Sequence, residues 1–195
     1  FQWFDYVMRG GEKPALLQDK INYEVMGANE WRHAPSLEKM SNETLTLFLT
    51  DAKSANYYQL NKKKPSKPGF LEQTVDFADR KTMNNDYYPY LIVGKQPDLS
   101  GFVYISDPFN EPVSINGTFW GEIKAAINKK DLDIGVVLYE VMPNGELFQL
   151  SYYLGRASYA KEMSVRRLLT PGKVESIPFE RTRMVSQRSD RKSVV

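Results

Sequence analysis

The sequence predicts an antiparallel β-sandwich preceded by one helix, and three observations carry that prediction. From residue 20 onward, apolar residues recur at every second position. Pro, Gly and Asn punctuate these runs at turn-like intervals. Helical periodicity is almost absent after residue 11. Strands joined in this way bury their apolar faces by packing sheet on sheet. The chain has 195 residues, of which 42% are hydrophobic. That is enough for one domain with a core, or one domain and an appendage, and it excludes wholesale disorder.

Residues 1–9 read as the helix. Trp3, Phe4, Val7 and Met8 recur at helical spacing, and Gly10-Gly11 supplies a left-handed end. This stripe is expected to pack on a neighbour. Ile21, Tyr23 and Val25 alternate with polar residues, so one face of that strand is expected to be buried. Leu45, Leu47 and Leu49 suggest a strand over residues 44–49. Residues 61–69, NKKKPSKPG, read as a long surface loop. The clearest strand runs over residues 113–128, with Ile115, Gly117, Phe119, Gly121, Ile123, Ala125 and Ile127 on one face. Its two glycines imply a bulge or the close approach of a neighbour. A second strand, Ile134 to Met142, enters Pro143-Asn144-Gly145-Glu146, a hairpin signal in which both Asn and Gly tolerate positive φ. Leu147 to Leu154 is the return strand, Pro171-Gly172 a turn, and Val174 to Phe179 a further strand.

Charge and composition narrow the function. The formal net charge is +2, from 26 basic and 24 acidic residues. Lys62, Lys63, Lys64 and Lys67 form one basic cluster, and Arg181, Arg183, Arg188, Arg191 and Lys192 form another. Neither alternates with aromatic residues as a stacking platform does, so nucleic acid is not an expected partner. No apolar run approaches the roughly 18 residues of a membrane span. The absence of Cys removes disulfides, thiolate nucleophiles and sulfur metal sites together. Asn42-Glu43-Thr44 and Asn116-Gly117-Thr118 match the glycosylation pattern, which carries little weight alone.

The inventory for catalysis is short. No Gly-x-Ser-x-Gly elbow occurs, and His33, the single His, is expected on a surface loop without a catalytic role. One His and no Cys exclude the common zinc sets. Asp131-Leu132-Asp133 offers two carboxylates to a cation such as Ca²⁺, or forms a polar turn. The expectation is therefore no catalytic, metal-binding or cofactor-binding residue. Trp31 and Trp120 are candidates for stacking on sugar rings, so a carbohydrate-binding sandwich is the alternative reading. For Trp120, packing on another domain or on the second sheet is preferred.

Several segments, taken in order, resemble the C-terminal region of the CocE/NonD family of serine hydrolases, which includes X-Pro dipeptidyl-peptidases and α-amino acid ester hydrolases. Trp3-Phe4-Asp5-Tyr6 with Arg9-Gly10 resembles the last helix of the family's catalytic domain. Tyr23 to Arg32, YEVMGANEWR, resembles the strand and turn that lead into the C-terminal domain. Ser106-Asp107-Pro108, Pro112 to Gly117, and Asp133 to Gly145 resemble the elements that follow. Arg156-Ala157-Ser158-Tyr159 and Leu168 to Val174 resemble the Arg-x-x-Tyr and Leu-x-Pro-Gly signature.

The resemblance implies a jelly-roll, galactose-binding-like β-sandwich over residues 20–195. It implies that residues 1–19 are the last helix and linker of a missing α/β-hydrolase domain. It also implies an accessory role: packing on the catalytic domain and walling its substrate cleft, with the triad upstream and this chain inactive alone. Trp3, Phe4, Val7, Met8, Trp31 and Arg32 are the expected interdomain contacts. Arg32 is expected to pair with a carboxylate across that interface. The missing initiator Met fits an excised piece, and the sandwich is expected to lack a closing C-terminal strand. The apolar stripe and open edge favour a homo-oligomer. A soluble, bacterial protein, cytoplasmic or exported, completes the expectation.

Overall fold

A computed structural model describes residues 1–76, 78, 92–93, 101–180 and 182–189. One helix, α1 (Gln2–Arg9), precedes the strands β1 (Ile21–Val25), β2 (Glu30–Ala34), β3 (Phe48–Ser54), β4 (Tyr57–Asn61), β5 (Ile92–Val93) and β6 (Tyr104–Ser106). There follow β7 (Val113–Gly117), β8 (Gly121–Ala125), β9 (Asp133–Val141), β10 (Leu147–Arg156), β11 (Glu175–Phe179) and β12 (Val185–Ser189). The pairings are β1-β2, β5-β10-β9, β11-β8, β12-β7 and β3-β4-β6. All are antiparallel except β4 with β6 and a parallel bridge from Met26 to Gln187. The mainly β, sandwich-type architecture is as the two-residue period implied.

The long run over residues 113–128 is two strands, not one. β7 pairs with β12 and β8 with β11, and five residues (180–184) oppose three (118–120) between the paired ends. The alternation survives the interruption, with Ile115, Phe119, Ile123 and Ile127 half-buried and Ser114, Thr118, Glu122 and Lys124 exposed. Thr182 clamps the irregular stretch: its hydroxyl accepts from Phe119 N–H at 2.9 Å and donates to Phe119 C=O at 2.7 Å. Both roles expected of the glycines are present. Gly117 takes a φ of 105° at the bulge. A Cβ on Gly121 would stand 2.7 Å from the Phe179 ring.

Two other expectations need correction. The strand proposed over residues 44–49 begins instead at Phe48, and Leu45 and Leu49 are exposed. Thr50 is the inward residue; its hydroxyl donates to Gln59 C=O at 2.9 Å, which sets the opposite alternation. The β9–β10 connection is a hairpin, but only Gly145 has positive φ. Met142 C=O accepts from Gly145 N–H, and Met142 N–H donates to Glu146 C=O. This is a three-residue loop ending on a left-handed Gly, rather than a two-residue Asn-Gly turn. Of the loop expected over residues 61–69, residues 62–69 are exposed and strandless, whereas Asn61 is the last residue of β4.

The strand β12 has no counterpart in the sequence reading. Met26 N–H donates to Ser186 C=O, and Arg188 N–H donates to Met26 C=O, so β12 ties the β1–β2 hairpin to β7. Gln187 of β12 also donates to buried Glu140 of β9 at 2.9 Å. Val25, Ala34, Tyr139, Leu147, Ile177 and Val185 are buried, so the core draws on β1, β2, β9, β10, β11 and β12. Burying a side chain of Leu or Val size contributes about 1.5–3 kcal/mol each, before entropy is set against it.

Candidate functional site

The surface of α1 is the most exposed apolar feature built from regular structure. Trp3, Phe4, Val7 and Met8 share one side of the helix and are 50%, 61%, 50% and 74% exposed. The opposite side carries Asp5 and Arg9, an i,i+4 ion pair at 3.0 Å. Gly10 closes the helix in the left-handed conformation, and its N–H donates to Asp5 C=O. Trp3 and Phe4 meet edge to face, with centroids 5.0 Å apart. No residue of the helix is buried. An isolated eight-residue helix is marginal in water, so this one lacks the packed face that normally supplies stability.

The other two contact candidates, Trp31 and Arg32, stand side by side on β2 and therefore face opposite ways. The register pairs Trp31 with Glu24 and Arg32 with Tyr23. Alternation puts Trp31 on the side of Met26, where both side chains are nearly half exposed. Arg32 shares the side of buried Val25 and Ala34, and it donates to Glu30 at 3.2 Å. The structure thus gathers the four helix residues together and separates Trp31 from Arg32.

His33 lies on β2, not on a loop. Asn22 Oδ1 accepts from the N–H groups of Gln18 and Asp19. The same oxygen lies 2.7 Å from His33 Nδ1, so Nδ1 carries the proton and donates. The ring is a brace between β1, β2 and the turn before them. Among the described residues, no serine is hydrogen-bonded to it.

The strongest polar network was missed as a unit by sequence reasoning. Asp131 accepts from Ser158 N–H at 3.0 Å, Ser158 Oγ at 2.7 Å, Arg166 at 3.2 Å and Leu132 N–H at 3.1 Å. Burial alone would raise the Asp131 carboxyl, but these donors outweigh it and hold the group below the usual carboxylate range. Asp133 takes a bidentate pair of bonds from Arg156 at 2.7 and 3.0 Å. That guanidinium lowers the Asp133 carboxyl and raises its own affinity for the proton. The two carboxylates offered to a cation are thus engaged by internal donors. Asp133 borders a shallow depression of about 480 Å³, lined also by Leu154, Gly155, Arg156 and Tyr159. Both motifs are visible in the sequence, but their separation of 27 residues between Asp131 and Ser158 hides the contact.

Trp120 is 70% exposed in the irregular stretch between β7 and β8, so it does not pack on the second sheet. Asn116 is half-buried and accepts from Ser186 Oγ at 2.8 Å, whereas Asn42 is exposed. Arg181, Arg191 and Lys192 of the C-terminal basic cluster lie outside the described residues.

The described residues thus form a mainly antiparallel β-sandwich with a hydrogen-bonded polar end and an uncovered N-terminal helix. The chain belongs to the family of X-Pro dipeptidyl-peptidase C-terminal non-catalytic domains, which it matches over residues 17–184. The family read from the motifs is therefore correct. No curated protein matches the chain. Among solved structures, it is similar to an aminopeptidase from a marine sediment Thaumarchaeota archaeon, at 19% identity with a TM-score of 0.75. That match covers 99% of this chain and 34% of the aminopeptidase. An α-amino acid ester hydrolase labelled with selenomethionine matches at 17% identity and a TM-score of 0.67, covering 99% and 35% of the two chains. At these identities the likeness shows the fold. The chain spans about a third of the length of either solved protein.

Proposed function

We propose that this domain serves a serine hydrolase of the α/β-hydrolase type, acting on acyl esters or X-Pro peptides. It packs on the catalytic domain and walls the substrate cleft. The observation that carries this reading is α1, none of whose apolar side chains is buried, in a chain that belongs to a family of non-catalytic C-terminal domains. On this reading Trp3, Phe4, Val7 and Met8 bury against the catalytic domain, and residues 1–19 are the last piece of that domain. Trp31 adds a contact from the exposed side of the hairpin. Arg32, which donates to Glu30 on the same strand, is the remaining contact and pairs with a carboxylate across the interface.

The test is hydrolysis of a p-nitrophenyl ester by the 195-residue chain. The expected result is no turnover above buffer. Robust turnover that persists in His33→Ala would contradict the reading. A carbohydrate-binding module is the second reading, favoured by the exposure of Trp120. A glycan array on which binding disappears in Trp120→Ala would promote it.

A further inference from the structure

One end of the sandwich gathers two loops, residues 126–132 between β8 and β9 and residues 157–174 between β10 and β11. The backbone stitches them together. Gly172 N–H donates to Ile127 C=O at 2.8 Å, Leu169 N–H to Lys130 C=O at 2.8 Å, and Ala157 N–H to Leu132 C=O at 2.9 Å. Within the longer loop, Arg167 N–H donates to Ser158 C=O at 2.7 Å. Together the loops hold six Lys or Arg but two acids, Asp131 and Glu162. This end alone carries four positive charges in excess, against +2 for the whole chain.

The acids are already used. Asp131 is consumed by Ser158 and Arg166, and Glu162 accepts from Ser164. Lys129, Lys130, Lys161, Arg167 and Lys173 form no ion pair among the described residues. Every residue from Lys161 to Leu168 is exposed. Among these cations stand open aliphatic side chains: Val165 and Leu168 in the long loop, and Val174 at its end, 46%, 51% and 65% exposed. The loops are held in shape by internal bonds, yet these aliphatic side chains stay about half exposed or more.

We propose that this end of the sandwich binds an anionic lipid surface peripherally. The cations meet headgroup phosphates, and Val165, Leu168 and Val174 enter the headgroup–acyl boundary. A bilayer accepts an exposed, cationic loop that carries open aliphatic groups without a matching groove. Nucleic acid fits less well, because these loops hold a single aromatic residue, the half-buried Tyr159, where a stacking platform uses several. The proposal is independent of the accessory-domain reading and uses none of the residues of α1.

The experiment is co-sedimentation of the 195-residue chain with phosphatidylcholine vesicles, with and without phosphatidylserine. The expected result is binding to the anionic vesicles alone. Lys129→Glu with Lys130→Glu should weaken it roughly tenfold or more, since each cation near such a surface contributes a severalfold factor. Val165→Ser with Leu168→Ser should weaken it by a similar factor, whereas Lys62→Glu with Lys63→Glu should leave it unchanged. Thermal melts confirm that each variant folds. Where one does not, the salt dependence of wild-type binding and the quenching of a Val174→Trp variant by acyl-brominated lipid replace it. Failure to bind anionic vesicles overturns the proposal, as does binding indifferent to Val165→Ser with Leu168→Ser. Binding to polyglutamate but not to vesicles would overturn it in favour of an acidic protein partner.

Discussion

Helix α1 and the loop over residues 157–174 both expose large apolar side chains, but they do so under opposite local conditions. The loop is tied at Asp131, Lys130 and Ile127 by hydrogen bonds from its own residues. The helix has an exposed i,i+4 ion pair and its own backbone ladder, and buries none of its side chains. Exposure in the loop is therefore compatible with a fixed shape, while exposure in the helix leaves the element without tertiary support. A surface of the first kind is preorganised for a partner. One of the second kind depends on a partner for its structure.

The largest test of this contrast is Asp131→Ala. It strands two Ser158 donors and one Arg166 donor around a mostly buried position, and should cost about 1–3 kcal/mol in chemical denaturation. A loss below about 0.5 kcal/mol would mean that the loop is held by something other than this carboxylate.

Acid provides the next test. Asp131 and Asp133 both have carboxyls lowered in the folded state. The unfolded chain thus binds protons more readily, so their contribution is present above the ordinary carboxylate pKa. It is lost as pH falls through the lowered folded values. Denaturation midpoints should drop on acidification below about pH 4, and Asp131→Asn should flatten that dependence. A buried phenol gives the alkaline counterpart. Burial pushes Tyr139 up to about 12 and raises Tyr104 and Tyr153 too, so stability should fall as pH rises from about 10 towards 12, and Tyr139→Phe should reduce that loss.

The smallest effect belongs to the helix. Trp3→Ser with Phe4→Ser should change the stability of this chain by less than about 0.5 kcal/mol, because neither residue packs on the sandwich core. A larger loss, read by the same denaturation, would erase the contrast between the two regions.

How much of this was legible in the sequence depended on whether the signal was local. The alternation from Ile115 to Ile127 is a property of consecutive residues and survives in the fold. The interruption at 118–120 depends on five residues arriving opposite three from a strand far along the chain, which no local period encodes. The Leu45, Leu47 and Leu49 run misled for the same reason: the inward residue is chosen by the Thr50 bond to Gln59 across the β3–β4 hairpin. Asn144-Gly145 marked the hairpin but not its loop length. At the candidate site, the apolar side of α1 followed from spacing alone. The divergence of Trp31 from Arg32 needed β2 in place, since His33 and its neighbours were read as a loop. The Asp131–Ser158 contact joins two recognised motifs that only the fold brings together.

The measurement that tests the central claim most directly is amide hydrogen exchange of Gln2–Arg9, in this chain and in the proposed longer polypeptide that joins it to a catalytic domain. The account predicts near-complete exchange of α1 in the isolated chain. In the longer polypeptide it predicts strong protection, lost when Phe4 and Met8 are both changed to Asp. Equal, rapid exchange of α1 in both would contradict the proposed docking of this domain on a catalytic partner.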